Sequence, residues 1–389
     1  MIFKNSQLIF LNFVVMKKVY LDNASTTAMR PEVVQEMTKV MTEDFGNPSS
    51  THSFGRNGKT ILELSRKSIA KHLNCSAQEI IFTSGGTEAD NWILRSAVKN
   101  LKVERIITTK IEHHAVLHSV LVLEAEFGIQ VDYVTVNHDG SIDLTHLSNL
   151  LSEDKKTIVS LMHVNNETGT ILDIDRVGII CKQYSALFHS DTVQSVGKTE
   201  IDLQKTPVDF IVASAHKFHG PKGVGFAFVR KNSGLQPLIF GGEQEKGLRA
   251  GTEAVHQIAG MAKALTISYE KLEEERKYIY DLKTYLINQL EIHFQGFRFN
   301  GKREDFYNII NIILPFSEDK TSMLLFSLDM KGIAVSRGSA CQSGSIKPSH
   351  VLKEMLSEAD LKLPNLRISF SHYNTKEDID WLIESLKSI

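Results

Sequence analysis

Cysteine is scarce in this chain of 389 residues, which has only Cys75, Cys181 and Cys341. The three are far apart and odd in number, so they form neither a disulfide framework nor the close pairs of a zinc site. We therefore expect a reducing compartment, and we predict a cytoplasmic protein with no intrinsic metal.

An excess of charge of one sign is also missing, because 44 Lys and Arg residues face 46 Asp and Glu residues. No basic face or block of like charge stands out, and a nucleic-acid-binding surface would need one. With 42% hydrophobic and 23% charged residues, the chain is long enough for a large domain and a smaller one. We predict no nucleic-acid partner and no membrane partner.

The apolar run at residues 8–15 lacks the features of a secretory signal. It follows a single lysine, no small-residue cleavage site comes after it, and no spacer separates it from the segment that begins at Val19. Met16 would be a natural start. We interpret residues 1–15 as a mis-assigned or disordered extension.

Short apolar segments alternate with helical ones through the middle of the chain. The segments of strand length are 80–82, 105–109, 131–136, 157–163, 187–189, 210–213 and 224–229. This alternation predicts an α/β fold with a mostly parallel seven-stranded sheet covered by helices. Ligands of such sheets bind at the carboxyl ends of the strands, where the polar motifs of this chain fall.

The helical spacing predicts helices at 31–43 and about 58–73, and one long charged helix at 265–294. The last of these marks the change to a smaller domain. We expect a large domain at 31–264 and a smaller α+β domain at 265–389. Residues 16–30 are expected to pack with the smaller one.

Lys217 lies in a loop rich in glycine, between two predicted strands. A lysine at a strand end can act as a Schiff-base nucleophile, because partial desolvation lowers the pKa of its amine. The alternative is a solvated surface lysine. Asp191 follows another strand and could keep the ring nitrogen of pyridoxal phosphate protonated, although a carboxylate there is more often a helix cap.

The segment 83–91 follows a strand and opens a helix, so its glycines and free N–H groups favour a phosphate. Alternatively, the segment is only a Ser/Thr-rich helix cap that binds no phosphate. Ser214 and His216 are candidate donors to the same phosphate. His113, at a further strand end, can stack on a flat cofactor or simply cap a helix.

Taken in order, the motifs of this chain resemble those of cysteine desulfurases of the NifS/IscS type. The matching motifs are YLDNASTT (20–27), TSGGTE (83–88), EH (112–113), MHVNNETG (162–169), DTVQ (191–194), SAHK (214–217), RAGT (249–252) and GSAC (338–341). The resemblance implies a class V aminotransferase that depends on pyridoxal 5'-phosphate. It also implies the type I fold of such transferases and a homodimeric active site.

The resemblance implies a role for each matching position. Lys217 would hold the cofactor, Asp191 would pair with its ring nitrogen and Gln194 with its ring oxygen. His113 would stack on the ring, and Asn166 and Arg367 would orient the substrate carboxylate. The remaining cofactor-binding positions would be Gly86, Thr87, Asn166, Ser214 and His216, with Thr252 contributed by the other subunit. The catalytic residues would be Lys217, Cys341 and His113.

Cys341 lies among small residues, where an exposed reactive thiol and an inert loop cysteine fit equally well. The resemblance implies that L-cysteine is converted to alanine and that Cys341 receives the sulfur as a persulfide. An acceptor protein for iron–sulfur cluster assembly or tRNA thiolation would take it next, and Cys341 could transiently ligate a cluster with a scaffold partner. The alternatives are a selenocysteine lyase or cysteine C–S lyase, and a non-catalytic sulfur-relay platform.

Overall fold

The computed structural model describes residues 17–338 and 349–389. The predicted extension at 1–15 and the thiol of Cys341 lie outside these residues. The domain boundaries predicted from the sequence stay predictions.

Seven strands form the large sheet, and each overlaps a predicted apolar segment. They are β2 (Ile80–Thr83), β3 (Arg105–Thr108), β4 (Gln130–Tyr133), β5 (Thr157–Ser160), β6 (Leu187–Asp191), β7 (Phe210–Ser214) and β8 (Gly225–Val229). Their order is β2-β8-β7-β6-β5-β3-β4. The strands from β7 to β4 pair in parallel, and β8 is antiparallel to both of its neighbours. The predicted α/β fold with a mostly parallel sheet is confirmed.

Helices cover both faces of this sheet. They are α1 (Pro31–Glu43), α2 (Ser53–His72), α3 (Gly86–Lys99), α4 (His114–Phe127), α5 (Leu144–Leu151), α6 (Ile174–Gln183) and α7 (Val255–Glu270). Along β7, Phe210 and Val212 pack into the core on one face, and Ile211 and Ala213 pack into the core on the other. Because successive side chains of a strand point to opposite faces, a strand buried on both sides has a continuous apolar sequence.

A second core forms around an antiparallel sheet in the C-terminal part of the chain. Its strands are β9 (Arg298–Phe299), β10 (Ile309–Ile313) and β12 (Asn365–Ser369), with β10 in the middle. The N-terminal strand β1 (Val19–Tyr20) pairs in parallel with β11 (Ile333–Ala334), and Val19 is buried in this core. The helices of this part are α8 (Leu272–His293), α9 (Leu324–Asp329), α10 (His350–Met355), α11 (Glu358–Lys362) and α12 (Lys376–Lys387).

The prediction of a single helix at 265–294 is wrong, because the helix is interrupted at Lys271. The chain forms two helices there, α7 and α8. The backbone N–H of Lys271 caps α7 by donating to the carbonyl of Ile267, and its φ of −104° and ψ of 9° are not helical. Leu265 is buried in the first core and Ile279 in the second. The break lets the chain cross from one core to the other. Helix α2 also begins earlier than predicted, at Ser53.

Within residues 17–338 and 349–389, no helix has both the length and the apolar character that crossing a membrane would require.

Candidate active site

A cavity of about 230 Å³ lies at the carboxyl ends of β6 and β7, between the two cores. Of the predicted site residues that the structure describes, all except Thr252 line it. The lining residues are Ala24, Ser25, Gly86, Thr87, Asp90, His113, Met162, Val164, Asn166, Asp191, Val193, Gln194, Ser214, His216, Lys217 and Arg367. Sequence-distant segments therefore converge on one space, while the roles of the individual residues stay predictions.

Lys217 reaches this cavity from the short 3₁₀ turn Ala215–Lys217, which follows β7. Its Nζ donates hydrogen bonds to the backbone carbonyl oxygens of Ala24, at 2.7 Å, and Ser25, at 2.8 Å. Those carbonyls are held in place because the N–H of Ala24 donates to Oγ of Ser369 at 2.8 Å. The amine is thus half-buried and bound to two backbone carbonyls, unlike a fully solvated loop lysine.

Asp191 ends β6 with its carboxyl group buried. One of its oxygens accepts a hydrogen bond from the N–H of Val193 at 2.9 Å. Burial raises the pKa of Asp191 to about 6, although this hydrogen bond and the charge of Lys217 act in the opposite direction. A cation placed beside this carboxylate would favour its ionised form.

A second buried carboxyl group, that of Asp90 on α3, also lines the cavity. Burial raises the pKa of Asp90 well above its usual range, and the charges of Asp191 and Glu112 raise it further. The nearest basic group is Nε2 of His189, at 3.3 Å from the carboxyl oxygen. Sequence reasoning missed Asp90, because nothing in a polar helix start distinguishes a buried carboxyl group from an exposed one.

His113 is both a helix cap and a cavity residue. Its Nδ1 accepts a hydrogen bond from the N–H of Ala115 at 3.1 Å at the start of α4, which places the ring proton on Nε2. Burial and the nearby charge of Lys217 lower the pKa of His113 to about 4. At neutral pH the site therefore contains an uncharged, planar imidazole in a fixed tautomer.

The start of α3 forms a close-fitting cradle beside β7. The N–H of Gly86 donates to Oγ of Ser214 at 2.7 Å, and a Cβ at Gly86 would lie 2.6 Å from a methyl carbon of Val193. Only glycine fits there without displacing its neighbours. The N-cap residue is Gly85, so the hydroxyl cap considered from the sequence is not present at that position. N–H groups at the start of this helix favour an anion.

Arg367 on β12 is buried and held by three oxygen atoms. Its guanidinium donates to Oδ1 of Asp22 at 2.7 Å, to Oγ of Ser25 at 2.7 Å and to the carbonyl of Asn166 at 2.8 Å. Its Nε has no hydrogen-bond partner among the residues that the structure describes. Asp22 and Ser25 were not predicted as site residues, although they belong to the recognised motif at 20–27.

Three comparisons with known proteins show the family of this chain. The family model described as aminotransferase class-V matches residues 19–382. The chain is 41% identical over 376 residues to the cysteine desulfurase IscS of Clostridium botulinum (strain Kyoto / Type A2), which covers 96% of this chain and 94% of that protein. The chain belongs to the class-V aminotransferase family, as an enzyme of the cysteine desulfurase type.

Solved structures resemble this desulfurase over almost its whole length. A NifS-like protein superimposes with a TM-score of 0.88 at 37% identity and covers 96% of this chain and 99% of its own. A structure described as SspA in complex with cysteine has a TM-score of 0.80 at 30% identity and covers 92% of this chain and 100% of its own. The resemblance to the NifS/IscS type inferred from the motifs is confirmed.

Thr252 lies apart from the cavity of its own chain. It is exposed on the loop that follows Arg249, whose guanidinium forms two hydrogen bonds with the carboxylate of Glu88, at 2.9 and 3.2 Å. This ion pair ties the loop of the desulfurase to the first turn of α3. A contribution of Thr252 to the site of another subunit stays a prediction.

The two cysteines within the described residues are poorly suited to nucleophilic chemistry. Burial raises the pKa of the Cys75 thiol to about 12 and that of the Cys181 thiol to about 12. Because the thiolate is the reactive form, neither is ionised near neutral pH. For the sulfur acceptor of this desulfurase, Cys341 therefore remains the candidate predicted from the sequence.

Proposed function

We propose that this desulfurase uses pyridoxal 5'-phosphate to convert L-cysteine to L-alanine and transfers the sulfur to Cys341. The observation that carries the proposal is the convergence of an amine, a buried acid, a neutral imidazole and a buried guanidinium on one cavity. The similarity to a protein solved in complex with cysteine supports L-cysteine as the substrate.

The cavity fits pyridoxal phosphate in the chemistry of its groups. Lys217 would bind the cofactor covalently through Nζ, and Asp191 would pair with its ring nitrogen. The N-terminal turn of α3 suits the phosphate, with Thr87, Ser214 and His216 beside it in the lining of the cavity. When bound, the cofactor supplies an electron sink that stabilises negative charge at the substrate Cα.

Arg367 would bind the carboxylate of L-cysteine. Guanidinium and carboxylate groups form strong, oriented hydrogen bonds, and Asp22 and Ser25 already fix the Arg367 side chain before the substrate arrives. Preorganisation of this kind lowers the entropic cost of orienting the substrate. Asn166 lies beside the guanidinium and would complete the carboxylate site.

One group of the chain would move a proton, and a second would present one in a hydrogen bond. Lys217, once displaced by the substrate amine, would take the Cα proton on Nζ, and the carbonyls of Ala24 and Ser25 would stabilise the resulting ammonium. His113, whose pKa is about 4, is neutral at pH 7, and its Nε2–H can donate a hydrogen bond to a group bound in the cavity. Its fixed tautomer directs that proton away from the helix it caps.

Sulfur transfer would occur at Cys341. Its thiolate attacks the sulfur of L-cysteine, so an S–S bond forms while the Cβ–S bond breaks. The electron pair of that bond is left on Cβ, which takes up a proton, and alanine is released. The thiol sulfur of Cys341 and the transferred sulfur then form a persulfide, which an iron–sulfur scaffold or tRNA-thiolation protein would accept.

We further propose a cytoplasmic homodimer, in which Thr252 of one subunit completes the phosphate site of the other. Phe240, on the same loop, exposes 77% of its surface. Large exposed aromatic side chains are typical of protein interfaces. A second copy of this chain would cover Phe240 and bring Thr252 to the partner's cavity.

The proposed function is tested by incubating purified protein with L-cysteine and a thiol reductant, after its visible spectrum has been recorded. We expect a cofactor band in the spectrum, and then alanine and sulfide in equal amounts. Protein with no cofactor band and no turnover would contradict the proposal and favour a non-catalytic relay. A much faster release of selenide from L-selenocysteine would favour a selenocysteine lyase.

Arg367→Lys should raise KM for L-cysteine by about 10²-fold, because an ammonium lacks the fixed, planar set of donors that a guanidinium has; one such charged hydrogen bond contributes about 1.5–3 kcal/mol. The cofactor spectrum should not change. Arg298→Lys, at an exposed arginine of the same sheet, is the control. An unchanged KM in Arg367→Lys would remove this residue from substrate binding.

Because of Asp191, the stabilisation of the folded protein by bound cofactor should depend on pH. Its pKa is raised from 3.8 to about 6 in the fold, so the cofactor-free protein loses stability as pH rises through this interval, by up to about 3 kcal/mol. When the cofactor is bound, its protonated ring nitrogen beside the Asp191 carboxylate would offset this loss of stability. The rise in melting temperature on adding cofactor should therefore be larger at pH 7 than at pH 5.

The matched variant is Asp191→Asn, in which this difference between pH 5 and pH 7 should largely disappear. Comparison with the wild type removes the effects of other groups that titrate in the interval, including those of the cofactor. Asp281→Asn, at an exposed aspartate on α8, should behave as the wild type. A pH dependence that Asp191→Asn leaves intact would show that another group pairs with the ring.

A further inference from the structure

Lys198 is a buried lysine in the turn after β6, and the chemistry proposed above does not use it. Only 7% of its surface is exposed, and its Nζ lies 3.2 Å from Oε1 of Gln194. Burial, together with the charge of Lys217, lowers the pKa of Lys198 to about 7. Burying a charged amine is unfavourable unless the amine is hydrogen-bonded, which raises the question of what the contact between Lys198 and Gln194 does.

Gln194 is held at both ends of its amide. Its Nε2 donates to the carbonyl of Ala24 at 2.9 Å, and the same carbonyl accepts a hydrogen bond from Nζ of Lys217. In its protonated form Lys198 can only donate, and a carbonyl can only accept, so Lys198 and Ala24 impose the same orientation on the amide. The second N–H of Nε2 is then available to a group bound in the cavity that Gln194 lines.

We propose that Lys198 is a positioning residue that fixes the orientation of the Gln194 amide. With Oε1 bound to Lys198, the side chain presents an N–H donor to an anionic oxygen of the cofactor ring. A rotated amide would instead place Oε1 against that oxygen, and two acceptors repel each other. The inference rests on the proposed function, because the donor has a use only if such an oxygen binds there.

The test uses cofactor-loaded Lys198→Met, which keeps the length of the side chain and removes the donor. We expect a shifted absorption band of the bound cofactor and a dissociation constant for pyridoxal phosphate raised roughly 10- to 100-fold, the range for a lost hydrogen bond to a charged group. Lys205→Met, at an exposed lysine, should leave both unchanged. A wild-type spectrum and affinity in Lys198→Met would overturn the proposal.

A double-mutant cycle separates this role from a merely structural one. If Lys198 acts through Gln194, then adding Lys198→Met to Gln194→Ala should change the dissociation constant less than about two-fold, because coupled residues are not additive. Fully additive effects would overturn the proposal. The wild type is measured in parallel. If the wild type did not bind cofactor at Lys217, the proposed function would be contradicted, not the role of Lys198 alone.

Gln194→Glu provides a test that leaves Lys198 in place. A carboxylate keeps the bond to Lys198 but presents only an acceptor to the cavity, as a rotated amide would. We expect the same direction of spectral shift and weakened cofactor binding as in Lys198→Met. Unchanged binding in Gln194→Glu would show that no N–H donor is needed at this position.

Discussion

Lys217→Ala should abolish covalent binding of the cofactor and reduce alanine formation by roughly 10³-fold or more. The variant loses the attachment point and the group proposed to take the Cα proton, and general-base catalysis alone contributes about 10²–10⁴-fold. Purified protein should lack the visible band of the wild type. Borohydride reduction followed by peptide mapping should find no cofactor on the peptide that carries residue 217.

Lys222→Ala is the control for this experiment, since Lys222 lies on the same loop and is exposed. It should keep both the visible band and the activity. If Lys217→Ala retained cofactor that borohydride fixes to another lysine, the assignment of Lys217 would be wrong. Lys198 is the residue to check first in that event, because it is the buried lysine bound to Gln194.

Cys341→Ser should keep the cofactor spectrum of the wild type and lose most of its turnover of L-cysteine. A positioned thiolate has an effective concentration far above that of thiols in solution, so its loss should slow alanine formation by at least about 10²-fold. Sulfide released in the presence of reductant should fall by the same factor. The two readouts separate loss of the nucleophile from loss of the cofactor site.

Cys75→Ala is the matched control, because the Cys75 thiol has a pKa of about 12 and is not expected to react. It should form alanine at the rate of the wild type. Undiminished sulfide release by Cys341→Ser would contradict a persulfide on Cys341 and point to a C–S lyase, which does not need a protein thiol.

The sequence was sufficient to predict the large sheet because most of its strands contain a short apolar run followed by polar residues. The same property located the site, since Asp191 is the last residue of β6 and Lys217 lies in the turn after β7, at the carboxyl ends of two parallel neighbours. The cradle at Gly86 could be anticipated for the same reason, as a glycine pair between a strand and a helix.

Other parts of the site depend on contacts that local sequence does not encode. The carbonyls of Ala24 and Ser25 hold Lys217 only because the N-terminal turn is anchored to Ser369, some 345 residues away along the chain. Asp90 and Lys198 occupy ordinary polar positions in a helix and a turn, and only the tertiary fold buries them. The break at Lys271 was missed because the charged pattern continues across it.

A single-turnover experiment without reductant tests the central claim most directly. Cofactor-loaded protein is mixed with L-cysteine, the small-molecule products are quantified, and the protein is mapped by mass spectrometry. We predict one alanine for each sulfur retained as a persulfide on Cys341. Pyruvate and ammonia in place of alanine, or sulfur on a different residue, would contradict the account.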